Sequence, residues 1–356
     1  MKIVFLHLTM GVNDRGSEKV VDTLADTLSR KHTVTVFQGG LPTVKKYKII
    51  RPFSVQRLPA VSPKSRWQKI LFRLYLDSFS RLVSAFTASS LEHIKHLNPD
   101  IIIPINGAIQ VKLIKRFFPG IPIVCFGHAG PGYHDRDVLK EEPDLFVAVS
   151  KPSAVWAKSL SSSTTKILYC PNPFDGEAFI SARPATIDIP RPIVLSVGAL
   201  SAYKNHELLI QSAALTKASL LILGKGEEKA RLIELAAKLL PGRFQITSVR
   251  PDKMPSYYKS ADVFCLLSDP QEAFGMVYLE AMAAGLPIVA SKDPIRLSLI
   301  GTIGYFTNLT PADVAENLMR AIGKKPLNYQ RTLMPYQPDR IAAKLTLHFR
   351  SLLKSK

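Results

Sequence analysis

Two glutamates, Glu272 and Glu280, stand eight residues apart in QEAFGMVYLEAMAAGLPIVAS (271–291), a run with no other charge. A carboxylate in an apolar run must find hydrogen bonds or cost stability. The preceding ADVFCLLS reads as a buried strand, GMVYLEAMAA as a short helix closed by Gly285, and LPIVAS as the next strand. Glu272 then falls in the loop ahead of a helix N-terminus, where the amides of Phe274, Gly275 and Met276 could hold an anion. Gly275 lets a ligand approach the backbone closely. An ionised carboxylate only accepts hydrogen bonds, so glutamates flanking an anion site suit hydroxyl donors. A sugar–phosphate–nucleoside ligand meets both demands. Taken singly, the pair also fits a solvated helix residue at 280 and a dipole-favouring acid at 272. The glycine turn and the strand–loop–helix setting argue for the ligand.

The elements that must position these groups come in two series. KIVFLHL, a helix through Val20, Val21, Leu24 and Leu28, then TVTVF, DIIIPI, IPIVCFGH and DLFVAVS alternate as strands and crossover helices do. The pattern restarts at RPIVLSVGAL and continues through SLLILG, RFQITS, ADVFCLLS and LPIVAS. The Pro- and Gly-rich stretch at 169–192 lies between the series and reads as the linker. This predicts an α/β protein of two doubly wound units facing across a cleft: 1–171, and 172–337. The amphipathic C-terminal segment 338–356, with Ile341, Ala342, Leu345, Leu347, Phe349 and Leu352, is expected to return to the first unit. Loops after the strands' carboxyl ends should line the ligand site.

The 356 residues suffice for two cores, and 46% hydrophobic with 21% charged residues is ordinary for a globular protein. No window approaches the apolar length of a membrane helix, and MKIVFLHLTMG reads as a first strand rather than a signal peptide. A cytoplasmic location is expected. Cys125, Cys170 and Cys265 lie far apart in or beside strand-like runs, which fits buried thiols rather than a disulfide framework or a metal cluster. A net charge of +19, from 47 Lys+Arg against 28 Asp+Glu, favours polyanionic partners.

EAFGMVYLEAMAAGLPIVAS resembles the E-x7-E signature of retaining, nucleotide-sugar-dependent glycosyltransferases of the GT-B fold, family 4 in particular. The likeness covers nearly the whole chain. VGALSAYKNHELLIQSAA (197–214) is similar to the family's phosphate-binding strand and helix, LILGKGEEKARL to its Gly-x-Gly turn, and SYYKSADVFCLLS to the lead-in to the glutamates. RGSEKVVDTLADTL resembles the N-terminal glycine loop and PNPFDGEAF the linker motif. The resemblance implies that Lys204 contacts the donor diphosphate, Glu272 the transferred sugar and Glu280 the ribose, with the amides from Phe274 to Met276 on the phosphates. It places Gly16 against the donor, Val249 and Arg250 at the base, and His128 close to the reacting sugar. His128, Lys204 and Glu272 form the implied catalytic set, with a hydroxyl acceptor, a front-face route and neither metal nor other cofactor.

The chain departs from that pattern at Ala199, where the family often has Arg, at Arg15 in the double glycine, and at Pro173 in the linker. A sugar-binding protein that has lost activity is therefore an alternative. A nucleic-acid binder rests on charge alone, without an aromatic RNA-binding motif, zinc spacing or compact basic helix. The GKGEEK turn imitates a dinucleotide fingerprint but has Lys229 at its third glycine, and Asp135-x-Asp137 is set aside as a metal pair. Residues 41–86 carry ten basic residues and one acid, net +9, beside an apolar helical stripe from Trp67 to Phe86. Two readings stand for this stripe: a core helix with a solvated basic face, or an interfacial helix on anionic lipid near a lipid-linked acceptor.

Overall fold

The computed structural model describes residues 1–13, 16–42, 44–59, 65–269 and 273–354. The chain divides into two compact units, Met1–Pro173 with Pro338–Lys356, and Phe174–Gln337.

In the first unit, β1 (Lys2–His7), β2 (Thr33–Gln38), β3 (Lys48–Ile50) and β4 (Ile101–Pro104) form a parallel sheet in the order β3-β2-β1-β4. Phe5 of β1 stands opposite Val36 on one side and Ile103 on the other. A second parallel set, β5 (Val124–Gly127), β6 (Leu145–Ala148) and β7 (Lys166–Tyr169), continues from β4 through the bridge between Ile102 and Ile123. Successive side chains of a strand point to opposite faces. Ile3 and Phe5 accordingly join the core built with Val21, Leu24 and Leu28 of the helix Gly16–Ser29. Val4 and Leu6 join the opposite core with Val83, Phe86 and Ile94 of the helix Ser78–Leu97. The C-terminal helix Pro338–Lys354 packs into the former core through Ile341, Ala342, Leu345, Phe349 and Leu352. Leu347, grouped with these in the sequence, is instead 66% exposed, because it lies on the opposite side of the helix.

The apolar stripe expected from Trp67 to Phe86 is not one helix. Arg66–Arg73 forms a helix closed at Leu74, Tyr75 takes a left-handed backbone (φ 58°), and Asp77 caps a new helix by accepting from the amides of Phe79 and Ser80. The second helix supplies the core residues. The first buries none of its side chains.

In the second unit, β8 (Ile193–Val197), β9 (Ser219–Leu223), β10 (Phe244–Thr247), β11 (Val263–Leu266), β12 (Ile288–Ser291) and β13 (Tyr305–Thr307) form one parallel sheet in the order β10-β9-β8-β11-β12-β13. Strands run outward from β8 in one direction and from β11 in the other. The order reverses between these two, which opens a crevice at their carboxyl ends. Cys125, Cys170 and Cys265 are buried, and the thiols are free.

Candidate active site

Lys204 sits at that crevice. After β8 the chain passes Gly198 and a turn of 3-10 helix, Ala202–Lys204, before Asn205 adopts a left-handed backbone (φ 52°) and the helix His206–Ala214 begins. The Lys204 stem lies over Gly198, where an added Cβ would meet its Cδ and Cε at 3.6 Å. The side chain is 7% exposed, with Nζ 3.4 Å from the Ser268 Oγ and 5.1 Å from the centre of the Tyr203 ring. Three loops hold this lysine. Asn205 Nδ2 donates to the Leu267 carbonyl at 2.7 Å, and the Asp269 amide donates to the Tyr203 carbonyl at 2.8 Å, tying the loop after β8 to the loop after β11. The loop after β9 lies on the other side, where a Cβ on Gly224 would stand 1.9 Å from the Gly198 carbonyl oxygen. One on Gly226 would stand 2.2 Å from that of Leu200. Only glycine permits such approach of backbone to backbone.

His206, next to this turn, lies 3.5 Å through Nδ1 from the Ser196 hydroxyl, and burial lowers its pKa to about 4. It is therefore neutral around pH 7, and the positive charge of the turn comes from Lys204.

Glu272 lies outside the described residues, as does Arg15. Gly275, just beyond, has φ 86°, a left-handed conformation that favours glycine, and starts the helix Met276–Ala283 with no side-chain cap from the described residues. The first amides of this helix are thus donors available for an anion, with the helix dipole aimed the same way. Phe274 is buried with its ring edge-on to Tyr336 at 5.9 Å, and Met276 is partly exposed.

Glu280, in the same helix, is 7% exposed and accepts a 2.7 Å hydrogen bond at Oε2 from the Tyr258 hydroxyl. Burial, then the Glu280 charge, pushes the Tyr258 pKa well up, so the phenol keeps the proton with which it orients the carboxylate. Tyr258 stacks on Phe264 and meets Phe179 edge-on at 5.3 Å. Phe179 and Phe174 come from the linker motif PNPFDGEAF, which therefore packs against the partner of Glu280. Val249 and Arg250 follow β10, two strands along the sheet from β8. Arg250 is exposed and engaged with Asp252 at 3.0 and 2.6 Å.

Gly16 and His128 belong to the first unit. Gly16 is exposed at the start of the first helix. His128 follows β5 and stacks on Phe126 at 5.6 Å, and its Nε2 is buried without a hydrogen-bond partner among the described residues. Burial first, then the neighbouring His7, lowers its pKa to about 4. His7 ends β1 beside a chain of polar groups: its Nδ1 is 3.3 Å from Thr9 Oγ1, which donates to Glu18 at 2.6 Å. Asp135 holds the loop after β5 by accepting from the amides of Ala129 and Gly130, and burial raises its pKa to about 7. Asp137 pairs instead with Lys140 at 2.8 Å, so the two aspartates serve different partners.

The second unit thus brings Lys204 together with Ser268, and its next helix starts at Gly275 with no side-chain cap from the described residues. Sequence reasoning missed Ser268 and Tyr258 as partners, since each lies far along the chain from the residue it serves. An Asp before Pro in SKDPIR is a legible helix start, but nothing local shows that its arginine is buried.

Residues 181–325 match the model of the family described as "Glycosyl transferases group 1". An uncharacterized glycosyltransferase of Haemophilus influenzae is 39% identical over 308 residues, 81% of this chain and 80% of that one. The phosphatidyl-myo-inositol mannosyltransferase of Mycolicibacterium smegmatis is 32% identical over 201 residues, 53% of this chain and 48% of that one. Among solved structures, Anabaena Alr3699/HepE in complex with UDP and glucose shares the fold with a TM-score of 0.71 over 99% of this chain and all (100%) of that one, at 18% identity. The fold is GT-B, and with a relative so similar over four fifths of its length the chain belongs to the group 1 glycosyl transferases.

Proposed function

We propose that the protein is a retaining glycosyltransferase that moves a sugar from a nucleotide-diphosphate sugar to a hydroxyl acceptor without a metal ion. The observation that carries this reading is the buried Lys204 at the strand-order reversal of the second unit, tied to the loop after β11, together with a helix start at Gly275 that no side chain of the described residues caps. Departure of the diphosphate concentrates negative charge on its oxygens, and preorganised cations and amides aimed at that charge lower the barrier. Lys204 and the amides at Gly275 and Met276 supply them, with Phe274 backing the turn. The anomeric C–O bond breaks with its electron pair going to the diphosphate. The acceptor oxygen bonds to the anomeric carbon on the same face, and its proton passes to the departing phosphate oxygen. Glu280, oriented by Tyr258, takes the ribose hydroxyls and Glu272 those of the sugar, while Val249 and Arg250 border the base. Gly16 and His128 act from the first unit, His128 as a neutral imidazole.

A panel of UDP-, GDP- and ADP-sugars with a chelator present tests this, the product's anomeric configuration being read by NMR. Turnover with retained configuration is expected. An inverted product overturns the retaining mechanism, and tight donor binding without any turnover favours the alternative of an inactive binder that Ala199 suggests.

For the acceptor we propose a lipid-linked molecule, met in the cytoplasm at the inner face of a membrane. No described helix is long and apolar enough to cross a membrane. The helix Arg66–Arg73 presents Trp67, 75% exposed, together with Ile70 and Leu71, then Leu74, among Arg66, Lys69 and Arg73. Exposed apolar groups on a basic helix suit the headgroup boundary of an anionic bilayer. Elsewhere in the segment, Lys45 and Lys46 are paired with Asp22 and Asp26, so this helix rather than the whole of 41–86 is the contact. In flotation with phosphatidylglycerol vesicles the protein should rise with the lipid at low salt, and Trp67→Glu with Leu74→Glu should stay behind. Absence of salt-sensitive flotation removes the idea.

A further inference from the structure

Beneath the loop after β11 lies a charge pair to which the reading above gives no role. Arg296 is fully buried (0% exposed) on the helix Pro294–Ile300, and its Nη1 is 3.1 Å from Oδ1 of Asp293, itself buried at the helix start. Asp293 also accepts from the amides of Ile295 and Arg296 at 3.0 and 3.1 Å. Replacing a buried ion pair by apolar residues is often neutral or stabilising, so stability is a poor account of this one.

What the pair touches is more telling. Arg296 Nη2 donates to the Asp269 carbonyl at 3.0 Å. The Ser291 hydroxyl, at the end of β12, shares its proton between the Ser268 carbonyl at 2.9 Å and Asp293 Oδ2 at 3.2 Å. The peptide from Ser268 to Asp269 therefore has its oxygen held by Ser291 and its N–H held on the Tyr203 carbonyl. The next peptide is held by Arg296. The carbonyl ahead of Ser268, that of Leu267, is held by Asn205 Nδ2, so the backbone is fixed on both sides of Ser268 and its hydroxyl stands 3.4 Å from Lys204 Nζ. Arg296 fixes the carbonyl that follows, and the residue before the lysine is anchored as well.

We propose that Arg296 is a positioning residue for Lys204: clamped by Asp293, it sets the Ser268–Asp269 backbone and through it the ammonium that meets the donor diphosphate. The inference rests on the role proposed for Lys204, and a double-mutant cycle separates the two. The probe is whichever of UDP, GDP and ADP binds the unaltered protein most tightly, titrated by calorimetry so that the stoichiometry reports folded sites. Arg296→Met should weaken binding at least tenfold, Arg296→Lys by less, and kcat should fall along with donor affinity. In a Lys204→Met background, Arg296→Met should add nearly nothing, because residues that act through one another are not additive. If the two losses add, or Arg296→Met binds the probe normally, the positioning role is wrong. If Lys204→Met itself binds normally, the donor site is wrong instead. Should Arg296→Met fail to fold, Ser291→Ala takes its place: a loss of about threefold that vanishes in the Lys204→Met background is expected, and additive or absent loss overturns the proposal.

Discussion

Lys204→Ala lowers turnover by about 10²–10³-fold, the loss found when one preorganised electrostatic contact to a developing charge is removed. The fold survives, because the turn keeps its other ties: Asn205 to the Leu267 carbonyl and the Asp269 amide to the Tyr203 carbonyl do not involve the lysine side chain. Lys204→Met separates charge from packing, since the methionine stem still covers Gly198. Both variants should lose kcat at saturating donor while their far-UV circular dichroism matches the unaltered protein. His206 cannot replace the charge at neutral pH, as its burial keeps it deprotonated down to about pH 4. Nearly unchanged kcat in Lys204→Met would remove this lysine from the chemistry.

Gly224→Ala should be as damaging by a different route. Its Cβ would arrive 1.9 Å from the Gly198 carbonyl oxygen, where no side chain can yield, so the loops after β8 and β9 must separate. Overpacking of this kind costs about 1–3 kcal/mol of stability. A domain of ordinary marginal stability survives that. The separation moves the backbone on which the Lys204 stem rests, so donor affinity should fall at least tenfold beyond the shift in Tm. Gly120→Ala, with open space around the added Cβ, is the matched control and should leave both quantities as they were. Equal donor affinity in Gly224→Ala and Gly120→Ala would show that the loop contact does not set the site.

How much of this was legible depends on where a residue's partners lie. The inner strands declare themselves: IVLSV, SLLIL and VFCL are almost wholly apolar, interrupted only by Ser196 and Ser219, because both faces of a parallel sheet are covered. Three strands were not read at all, β3, β7 and β13, and each lies at an edge of its sheet. Edge strands are short and half-exposed, so KII, KILY and YFT lack such a run. The stripe from Trp67 to Phe86 misled because helical periodicity persists through a break, although Asp77 before Ser78 is a helix-start signal. Lys204 was readable from its motif, but its approach to Ser268 joins residues 64 apart, and Tyr258 is 22 residues from Glu280. The pair Asp293 and Arg296 looks like a surface turn in the letters DPIR. Its burial follows from the packing of β12 and the loop after β11, which no local pattern records.

The position of a nucleoside diphosphate in a crystal of the complex is the most direct test of the donor site. Phosphate oxygens against Lys204 Nζ and the amides of Gly275 and Met276, with the ribose at Glu280, are the expected arrangement. A diphosphate bound anywhere away from the carboxyl ends of β8 and β11 would contradict it.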